Sequence, residues 1–377
     1  MKAFNIEELR LEAKRRLPRS VFDFIDGGAE DESTLRGNRA AFRKVSLLPR
    51  VLVDVSRIDT ATNILGQASK LPIIIAPTGA VGFGWRGGDL ALAKAGAAFG
   101  IPVSVSTSAT ATIEAIAAAA PGRLWFQAYF LKDREFTFGL IERARKAGYE
   151  TLMVTVDLPV GGKRERDLHN DFSVPFRFTA KNVLDFASRP AWALDMLLNG
   201  VPVLENVAGL APPGADASKV ASSVGSHQDA TLDWEVLKRV RDLWPGKLLI
   251  KGVAHPGDAE RAVATGCDGV IVSNHGGRQL DGELASFDAL PGVARAIGGK
   301  AGVIMDGGIR RGADIVKALA WGAQAVMVGR ATLYGVCAAG EPGARRALDI
   351  LSSELVRTMQ LCGARSIAEI GPEILVR

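Results

Sequence analysis

Residues 269–282 read GVIVSNHGGRQLDG, and short apolar runs like the one that opens this stretch recur along the rest of the chain. An uninterrupted apolar run stops at Ser273 and is followed at once by His275. Two glycines come next, and glycine permits the sharp backbone turn that precedes Arg278. A buried strand that ends in reactive side chains on a glycine loop is typical of α/β enzymes.

Short apolar runs of this kind occur throughout the chain. The eight runs are Ile73–Ala76, Val103–Ser106, Leu124–Ala128, Leu152–Val156, Leu248–Ile250, Val270–Val272, Val303–Met305 and Ala325–Val328. Nearly all are rich in Val, Ile or Leu without strict alternation, as expected for strands buried on both faces. The segments with helical spacing between them include Asp89–Phe99, Asp133–Lys146, Gly257–Thr265 and Gly312–Trp321. The alternation predicts an α/β fold, a TIM (β/α)8 barrel over about residues 70–340. An open doubly wound sheet would fit about six strands better.

Two regions depart from this alternation. Residues 5–17 and 18–26 predict an N-terminal helical segment, and residues 45–60 are expected to cover one end of the barrel. After the fourth run, an insertion over about residues 170–230 exceeds the usual loop length. We treat residues 1–377 as a single domain that contains this insertion.

Part of the insertion has the composition of a membrane-surface segment. Residues 172–198 carry aromatic side chains with cations between them, which suits a membrane interface. The aromatic residues are Phe172, Phe176, Phe178, Phe186 and Trp192. A lid or a subunit-interface loop is the alternative. Residues 209–230, rich in Ala, Pro, Gly and Ser, are predicted to be mobile.

Composition excludes several classes of protein. The chain has 377 residues, of which 47% are hydrophobic and 23% charged, so a globular fold is expected. Three widely spaced cysteines suggest neither a metal cluster nor a disulfide framework and favour the cytoplasm. The first residues lack the apolar core of a signal peptide, and no run of ~18 apolar residues predicts a membrane span. A net charge of +5 without a basic stripe gives no case for nucleic-acid binding.

The loops after the last two runs predict a phosphate site. Asp306 to Arg310 follows the seventh run, and Gly329 and Arg330 follow the eighth. Glycine allows close backbone approach, and a helix N-terminus supplies free N–H groups. Loops in these two positions are the usual phosphate site of such barrels, so a phosphorylated ligand is expected.

Three polar residues on neighbouring runs suit the ring of that ligand. Gln127 and Thr155 offer an amide and a hydroxyl to the edge of a heterocycle. Lys251 would place a positive charge beside it, which stabilises an anionic reduced flavin. A Schiff-base lysine or a core ion pair is the alternative for Lys251.

Acid–base and carboxylate-binding groups end other runs. His275 at a strand end suits a general base, and Asp157 could stabilise the imidazolium that results. Arg164 and Arg278 could each grip a carboxylate through two hydrogen bonds. Tyr129 could bond a substrate hydroxyl. Either arginine alone would more often be a surface ion pair, but together they flank one histidine.

The stretch SNHGGRQLDG resembles the signature of the FMN-dependent 2-hydroxy acid oxidases and dehydrogenases. The similarity covers almost the whole chain, through WFQAYF, TVDLPVGGKRERDLHN, KLLIKGV and DGGIRRGADIVKALA. Within the family, RERDLHN and RDLWPGKLLIKG are most similar to the bacterial (S)-mandelate and L-lactate dehydrogenases. That resemblance implies a membrane-associating insertion and electron transfer to the respiratory chain.

The resemblance also implies roles for individual residues. His275 would be the catalytic base with Asp157 beside it, Arg164 and Arg278 would bind the substrate carboxylate, and Tyr129 would lie near the substrate hydroxyl. The implied FMN site comprises Pro77, Thr78, Gly79, Ser106, Gln127, Thr155, Lys251, Ser273, Asp306, Gly308, Arg310, Gly329 and Arg330. No metal site is predicted.

Two positions bear on the kind of enzyme and on its substrate. At Gly79 the oxidases tend to have alanine, whereas several dehydrogenases have glycine. At Phe24 the family usually has a tyrosine whose hydroxyl helps to bind the substrate carboxylate. Phenylalanine removes a hydrogen bond worth roughly 0.5–1.5 kcal/mol, so weaker binding of small hydroxy acids, or a bulkier, more apolar substrate, is expected.

The expected activity is FMN-dependent oxidation of an (S)-2-hydroxy acid, mandelate- or lactate-like, to the 2-oxo acid. Electrons are expected to pass to a quinone, in a homotetramer that is peripheral on the cytoplasmic face of the inner membrane. Three alternatives stay open. They are a soluble oxidase that uses O2 and makes H2O2, a non-redox phosphate-binding barrel of the aldolase or isomerase type, and an enzyme for a hydroxy acid within a larger metabolite or peptide.

Overall fold

Eight parallel strands form a closed barrel in the computed structural model, which describes residues 2–173, 179–210 and 228–376. The strands are β1 Ile73–Ile75, β2 Val103–Ser106, β3 Leu124–Ala128, β4 Thr151–Thr155, β5 Lys247–Lys251, β6 Gly269–Val272, β7 Gly302–Met305 and β8 Ala325–Val328. Each pairs with the next in chain order, and β8 closes on β1. The prediction of a TIM barrel is confirmed, with every strand within one residue of its apolar run at either end.

The inside of the barrel is filled by large apolar side chains. Alternate residues of the strands point inward, as in any small barrel, and they form a core cluster separate from the outer one. That cluster also contains Ile64 and Leu65, from a hairpin that pairs residues 62–64 with residues 67–69. The side chain of Leu65 reaches Gly269 and Gly302, at the starts of β6 and β7. This hairpin therefore covers the amino-terminal end of the barrel, whereas from the sequence residues 45–60 are expected to cover one end.

Helices surround the barrel and precede it. They are α1 Ile6–Arg16, α2 Arg19–Asp26, α3 Ser33–Arg43, α4 Gly88–Phe99, α5 Ile113–Ala119, α6 Arg134–Lys146, α7 Glu165–His169, α8 Ala180–Ala187, α9 Pro190–Asn199, α10 Trp234–Leu243, α11 Pro256–Ala264, α12 Ser286–Ile297, α13 Gly312–Ala320 and α14 Arg330–Cys362. Helix α14 is broken by non-helical backbone at Ala339 and Gly340. The two predicted N-terminal helices are confirmed, and α3 is an addition to them.

The insertion packs its described aromatic residues inward. Phe186 and Trp192 are buried with ring centroids 5.1 Å apart, and the Trp192 indole N–H donates to the carbonyl of Phe83 at 2.8 Å. The expectation that these aromatics lie at a surface is wrong, because the barrel supplies an apolar wall and a carbonyl for them. Phe176 and Phe178 lie outside the described residues, as do residues 211–227 of the stretch 209–230 that was predicted to be mobile.

Aliphatic side chains form the exposed apolar surface of the insertion. They are Val183, Leu184, Leu194, Leu197 and Leu198. The last three are spaced by three and four residues along α9, so they share one helix face. No helix in the described part of the chain is long and apolar enough to cross a membrane.

Candidate active site

A cavity of about 410 Å³ opens at the carboxyl ends of the strands, where active sites of this fold lie. Most of the predicted site residues line it: Phe24, Pro77, Thr78, Gly79, Ser106, Tyr129, Thr155, Arg164, Lys251, His275, Arg278, Asp306, Gly308, Arg310, Gly329 and Arg330. Asp157, Gln127 and Ser273 lie behind the wall, each hydrogen-bonded to a lining residue. The fold therefore brings the whole predicted set together.

His275 is held with one ring nitrogen toward a carboxylate and the other toward the cavity. Its backbone has a left-handed φ of 56°, and its N–H donates to the hydroxyl of Ser273 at 3.1 Å. Nδ1 lies 3.0 Å from Oδ1 of Asp157, and Nε2 lies 3.3 Å from the hydroxyl oxygen of Tyr129. A carboxylate partner favours the proton on Nδ1, so Nε2 carries the lone pair in the neutral ring. The proton-accepting nitrogen is therefore the one beside Tyr129.

The surroundings keep Asp157 charged and Tyr129 neutral. Burial by itself would raise the pKa of Asp157, but the charges of His275 and Lys251 bring it below its ordinary value. Burial, together with the charge of Asp157, raises the pKa of Tyr129 to about 12. Asp157 is thus an anion at neutral pH, and Tyr129 keeps its proton as a hydrogen-bond donor.

Lys251 is a buried cation with two oxygen partners. Its Nζ donates to the hydroxyl of Ser273 at 2.8 Å and lies 3.1 Å from Oδ2 of Asp306. Burial alone would lower the pKa of Lys251, but the charges of Asp306 and Asp157 raise it above its ordinary value. A lysine held in its charged form is poorly suited to Schiff-base chemistry, which requires the free amine.

Several buried polar atoms around Lys251 lack a protein partner. Within the described residues, Gln127 Nε2, Thr155 Oγ1 and Asp306 Oδ1 have no hydrogen-bond partner. The amide oxygen of Gln127 is fixed because it accepts from Ser106 at 3.1 Å, which directs Nε2 away from that hydroxyl. Unpaired buried polar atoms are costly, and a bound heterocycle with polar edges would satisfy them. These residues therefore fit the ring system of a flavin.

The loop after β7 is shaped by its glycines. Gly308 has a φ of 86°, and a Cβ there would lie 2.2 Å from the carbonyl oxygen of Asn38. Glycine is therefore required at this position. The loop leads into α13 at Gly312, and Arg310 places its guanidinium 5.6 Å from the centre of the Tyr334 ring. Backbone N–H groups and a cation at this mouth suit a phosphate.

The sequence predicts Arg330 as a phosphate ligand, but in the structure its guanidinium also binds the protein backbone. Its guanidinium donates to three backbone carbonyls: Nε to Ile25 at 3.1 Å, Nη1 to Gly276 at 2.8 Å and Nη2 to Gly27 at 2.6 Å. The side chain thereby ties the N-terminal segment to the loop that follows His275. Within the described residues the guanidinium of Arg310 makes a single hydrogen bond, from Nη1 to the carbonyl of its neighbour Ile309, so it is less occupied than that of Arg330.

Two further arginines face the cavity near His275. Nη1 of Arg278 donates to the carbonyls of Phe24 at 2.7 Å and Gly27 at 2.9 Å, which fixes one corner of the guanidinium. Burial and the charges of Arg164 and Arg330 lower the pKa of Arg278 well below its ordinary value. Nε of Arg164 is buried with no partner within the described residues. This crowding of positive charge favours a bound anion.

The wall beside these arginines is aromatic. The rings of Phe24 and Phe172 stack with centroids 4.8 Å apart, and the guanidinium of Arg278 lies 5.2 Å from the centre of the Phe24 ring. Phe172 was singled out only as part of a membrane-facing segment, whereas it lines the cavity.

Sequence reasoning did not single out Asp167, which also lines the cavity. Burial raises the pKa of Asp167, while the charges of Arg278 and Arg164 act in the opposite direction. The available signal was its position on α7, three residues after Arg164, which is the N-cap residue of that helix.

The fold and this cavity define a barrel with room for a phosphorylated flavin beside a histidine. The chain matches the family described as FMN-dependent dehydrogenase over residues 13–377, and it belongs to that family. FMN is accordingly its cofactor, and the protein is an oxidoreductase. Both the predicted family and the predicted cofactor are confirmed.

Relatives with known names and structures are similar over the whole chain. (S)-Mandelate dehydrogenase of Pseudomonas putida is 44% identical over 99% of this chain and 93% of its own length. L-lactate dehydrogenase of Caulobacter vibrioides is 43% identical over 98% of this chain and 96% of its own length. A crystal structure described as the monotopic membrane protein (S)-mandelate dehydrogenase superposes with a TM-score of 0.96, at 43% identity and 100% coverage of both chains. A mandelate oxidase structure gives a TM-score of 0.84 at 34% identity, covering 100% of this chain and 98% of the other.

Proposed function

We propose that this enzyme oxidises an (S)-2-hydroxy acid to the corresponding 2-oxo acid. One observation carries the proposal: His275, held on Asp157 through Nδ1, shares its cavity with Arg164 and Arg278. A base beside two cations suits a substrate that carries a hydroxyl next to a carboxylate.

His275 acts as the base. Its Nε2 takes a proton from the substrate, and the charged Asp157 stabilises the imidazolium that forms. Tyr129 keeps its proton up to strongly alkaline pH, so its hydroxyl donates to the substrate oxygen on which negative charge develops. Oxidation of the hydroxy acid releases two protons and two electrons.

Arg278 and Arg164 bind the substrate carboxylate. The two carbonyls on Nη1 of Arg278 orient its guanidinium, and the unpaired Nε of Arg164 gains a partner when an anion enters. Binding the carboxylate places the adjacent carbon and its hydroxyl against His275. The arginines thereby supply orientation rather than proton transfer.

FMN, when bound, would accept the two electrons that the substrate loses together with the proton that His275 does not take. Gln127 and Thr155 would hold the ring edge with Ser106 and Ser273 as supports, and Lys251 would place its charge beside the ring. The residues that would hold the remainder of the cofactor are Pro77, Thr78, Gly79, Asp306, Gly308, Arg310, Gly329 and Arg330.

An aryl side chain on the substrate fits this cavity better than a methyl group. Phe24 and Phe172 form a stacked aromatic wall next to Arg278, where a carboxylate would sit. Aromatic pairs contribute beyond the area that they bury, so a phenyl ring gains more than a methyl group does. We therefore favour a mandelate-like substrate over lactate.

The electron acceptor is proposed to be a quinone, reached at a membrane surface. The support is the aliphatic face of α8 and α9, on which Leu197 is 82% and Leu198 73% exposed. The (S)-mandelate dehydrogenase whose structure superposes with a TM-score of 0.96 is described as a monotopic membrane protein. Attachment on the cytoplasmic side of the inner membrane and a homotetramer remain predictions. The alternative is a soluble oxidase that passes electrons to O2, as the mandelate oxidase relative suggests.

The test mixes the purified FMN enzyme with (S)-mandelate, (R)-mandelate or (S)-lactate without oxygen and follows the flavin absorbance. We expect rapid bleaching with (S)-mandelate, slower bleaching with (S)-lactate and none with (R)-mandelate. Failure of every 2-hydroxy acid to bleach the flavin would overturn the proposal. Peroxide yield in air, compared with the rate of reduction of a soluble quinone, separates oxidase from dehydrogenase.

A further inference from the structure

Helix α2 connects the insertion to the substrate corner of the cavity. Its eight residues begin at Arg19, and Phe24 lies in its last turn. The insertion contacts the helix at three points along its length. Asp185 accepts hydrogen bonds at the first turn, Asn170 donates to Asp23, and the ring of Phe172 stacks on that of Phe24. A displacement of α2 would therefore move the aromatic wall of the cavity.

The first turn of α2 takes its cap from the insertion. Pro18, at the N-cap position, makes no side-chain cap hydrogen bond. Asp185 of α8 replaces it: Oδ1 accepts from the N–H of Arg19 at 2.8 Å, and Oδ2 accepts from the N–H and from the hydroxyl of Ser20, both at 2.8 Å. A carboxylate here satisfies otherwise unpaired N–H groups and interacts favourably with the helix dipole.

The other end of α2 holds the arginines of the site. The carbonyls of Phe24 and Gly27 accept from Arg278, and those of Ile25 and Gly27 accept from Arg330. Guanidinium groups at a helix C-terminus are favoured by the same dipole. The helix is thus fixed by an anion from the insertion at one end and by site cations at the other.

We propose that Asp185 is a positioning residue for substrate binding. It fixes the first turn of α2 and thereby the orientation of the whole helix. The position of the Phe24 ring, and of the carbonyls that orient Arg278, depends on that orientation. Without this cap, α2 samples displaced positions in which the carboxylate site is incomplete. The apparent substrate affinity is then the intrinsic affinity multiplied by the fraction of molecules in the competent arrangement, so it falls as that fraction falls. The step of proton transfer to His275 is unaffected once substrate is bound.

The test compares Asp185→Ala with Asp195→Ala. Asp195 anchors the same insertion through Arg86 at 3.2 Å, without touching α2, so its removal controls for a loosened insertion. For Asp185→Ala we expect KM to rise roughly 2- to 30-fold, the range that loss of an N-cap represents, with kcat within about twofold of the parent enzyme. Asp185→Asn, which keeps one acceptor oxygen, should give an intermediate KM. Asp195→Ala should leave KM near the parent value.

Hydrogen exchange of residues 17–27 provides a readout that does not depend on the reaction. The amides of Arg19 and Ser20 should exchange faster in Asp185→Ala and not in Asp195→Ala. An unchanged KM in Asp185→Ala, or an equal rise in Asp195→Ala, overturns the inference. If Asp185→Ala does not fold, Ser20→Ala, which removes a single bond to Asp185, should raise KM in the same direction by a smaller factor, and an unchanged KM there overturns it too.

This inference rests on the proposed function, and the two can fail separately. If the parent enzyme oxidises no 2-hydroxy acid, the proposed function fails, while exchange at α2 still tests the cap. If the parent enzyme is active and Asp185→Ala behaves like it, the positioning role alone fails.

Discussion

Nδ1 of His275 lies 3.0 Å from Oδ1 of Asp157, and the two residues follow β6 and β4, the two strands that flank β5 in the barrel. The pair fixes the ring so that Nε2 meets the hydroxyl of Tyr129. Asp157 keeps its charge because His275 and Lys251 offset the effect of its burial. The arrangement fixes the orientation of the ring and places an anion beside the imidazolium that forms on proton transfer.

Asp157→Asn should therefore lower kcat by on the order of 10²-fold, the lower end of the usual contribution of a positioned base. The amide preserves shape but removes the charge that stabilises the imidazolium. KM should change much less, because Asp157 lies behind the cavity wall. Steady-state kinetics with an artificial electron acceptor would measure both constants, and a kcat equal to that of the parent enzyme would contradict the role of the pair.

Arg278→Lys should raise KM for the hydroxy acid roughly 10- to 100-fold, since hydrogen bonds to charged groups contribute about 1.5–3 kcal/mol. An ammonium group cannot bond the carbonyls of Phe24 and Gly27 and also bind a carboxylate through two hydrogen bonds. The retained flavin absorbance would serve as the control for an intact cofactor site. A fall in kcat with KM unchanged would argue against carboxylate binding.

Phe24→Tyr should shift preference toward small hydroxy acids. The new hydroxyl would lie near Arg278, where a hydrogen bond to the substrate carboxylate is worth roughly 0.5–1.5 kcal/mol. We expect kcat/KM for lactate to rise several-fold more than that for mandelate. Phe172→Ala should shift the preference in the same direction by another route, lowering kcat/KM for mandelate while sparing lactate. If Phe24→Tyr leaves kcat/KM unchanged for both lactate and mandelate, this corner does not select the substrate side chain.

Glu283→Gln should stabilise the protein in a pH-dependent manner. Burial and the charge of Asp157 raise the pKa of Glu283 from 4.5 to about 7. Between these values the folded state holds a proton that the unfolded state has lost, so stability falls as pH rises through the window and stays lower above it. The Tm of the variant should be a few degrees higher than that of the parent at about pH 8, and the two Tm values should be equal at about pH 4. Calorimetry at a fixed scan rate would show this, and an equal gain at both pH values would exclude titration as the cause.

Replacing Leu197 and Leu198 together by glutamine should weaken binding to phosphatidylglycerol vesicles by about tenfold or more, since burial of each side chain is worth about 1.5–3 kcal/mol. Leu361→Gln is the matched control, because Leu361 is 69% exposed on α14, outside the insertion. Co-sedimentation would measure the bound fraction. Unchanged vesicle binding of the double variant would remove this surface as the membrane contact.

Much of the fold could be read from the chain because buried parallel strands leave an unbroken apolar signal. The run from Val103 to Ser106 matches its strand at both ends. Helix α3 gave a weaker signal, since few of its residues are apolar and its buried side includes Thr34 and Asn38. Asn38 is buried because it exchanges hydrogen bonds with Asn274, 236 positions away in the chain. No local pattern reports such a partner.

The site shows the same division. His275, Arg278 and Lys251 could be singled out because strand ends in a barrel converge on one mouth, which makes chain position sufficient. The direction that a side chain faces within the insertion could not be predicted. The composition is the same whether an aromatic ring contacts lipid, the barrel or a substrate. Phe186 and Trp192 pack inward, and Phe172 lies on Phe24.

The sequence by itself determined the barrel, the family and the stretch that carries His275 and Arg278, because these depend on local runs and a specific motif. Only the tertiary structure decided what holds that stretch in place. Arg278 is oriented by carbonyls of α2, and α2 is capped by Asp185 of the insertion. Backbone carbonyls belong to every residue and leave no mark in the sequence, so their use becomes apparent only when distant segments are packed together.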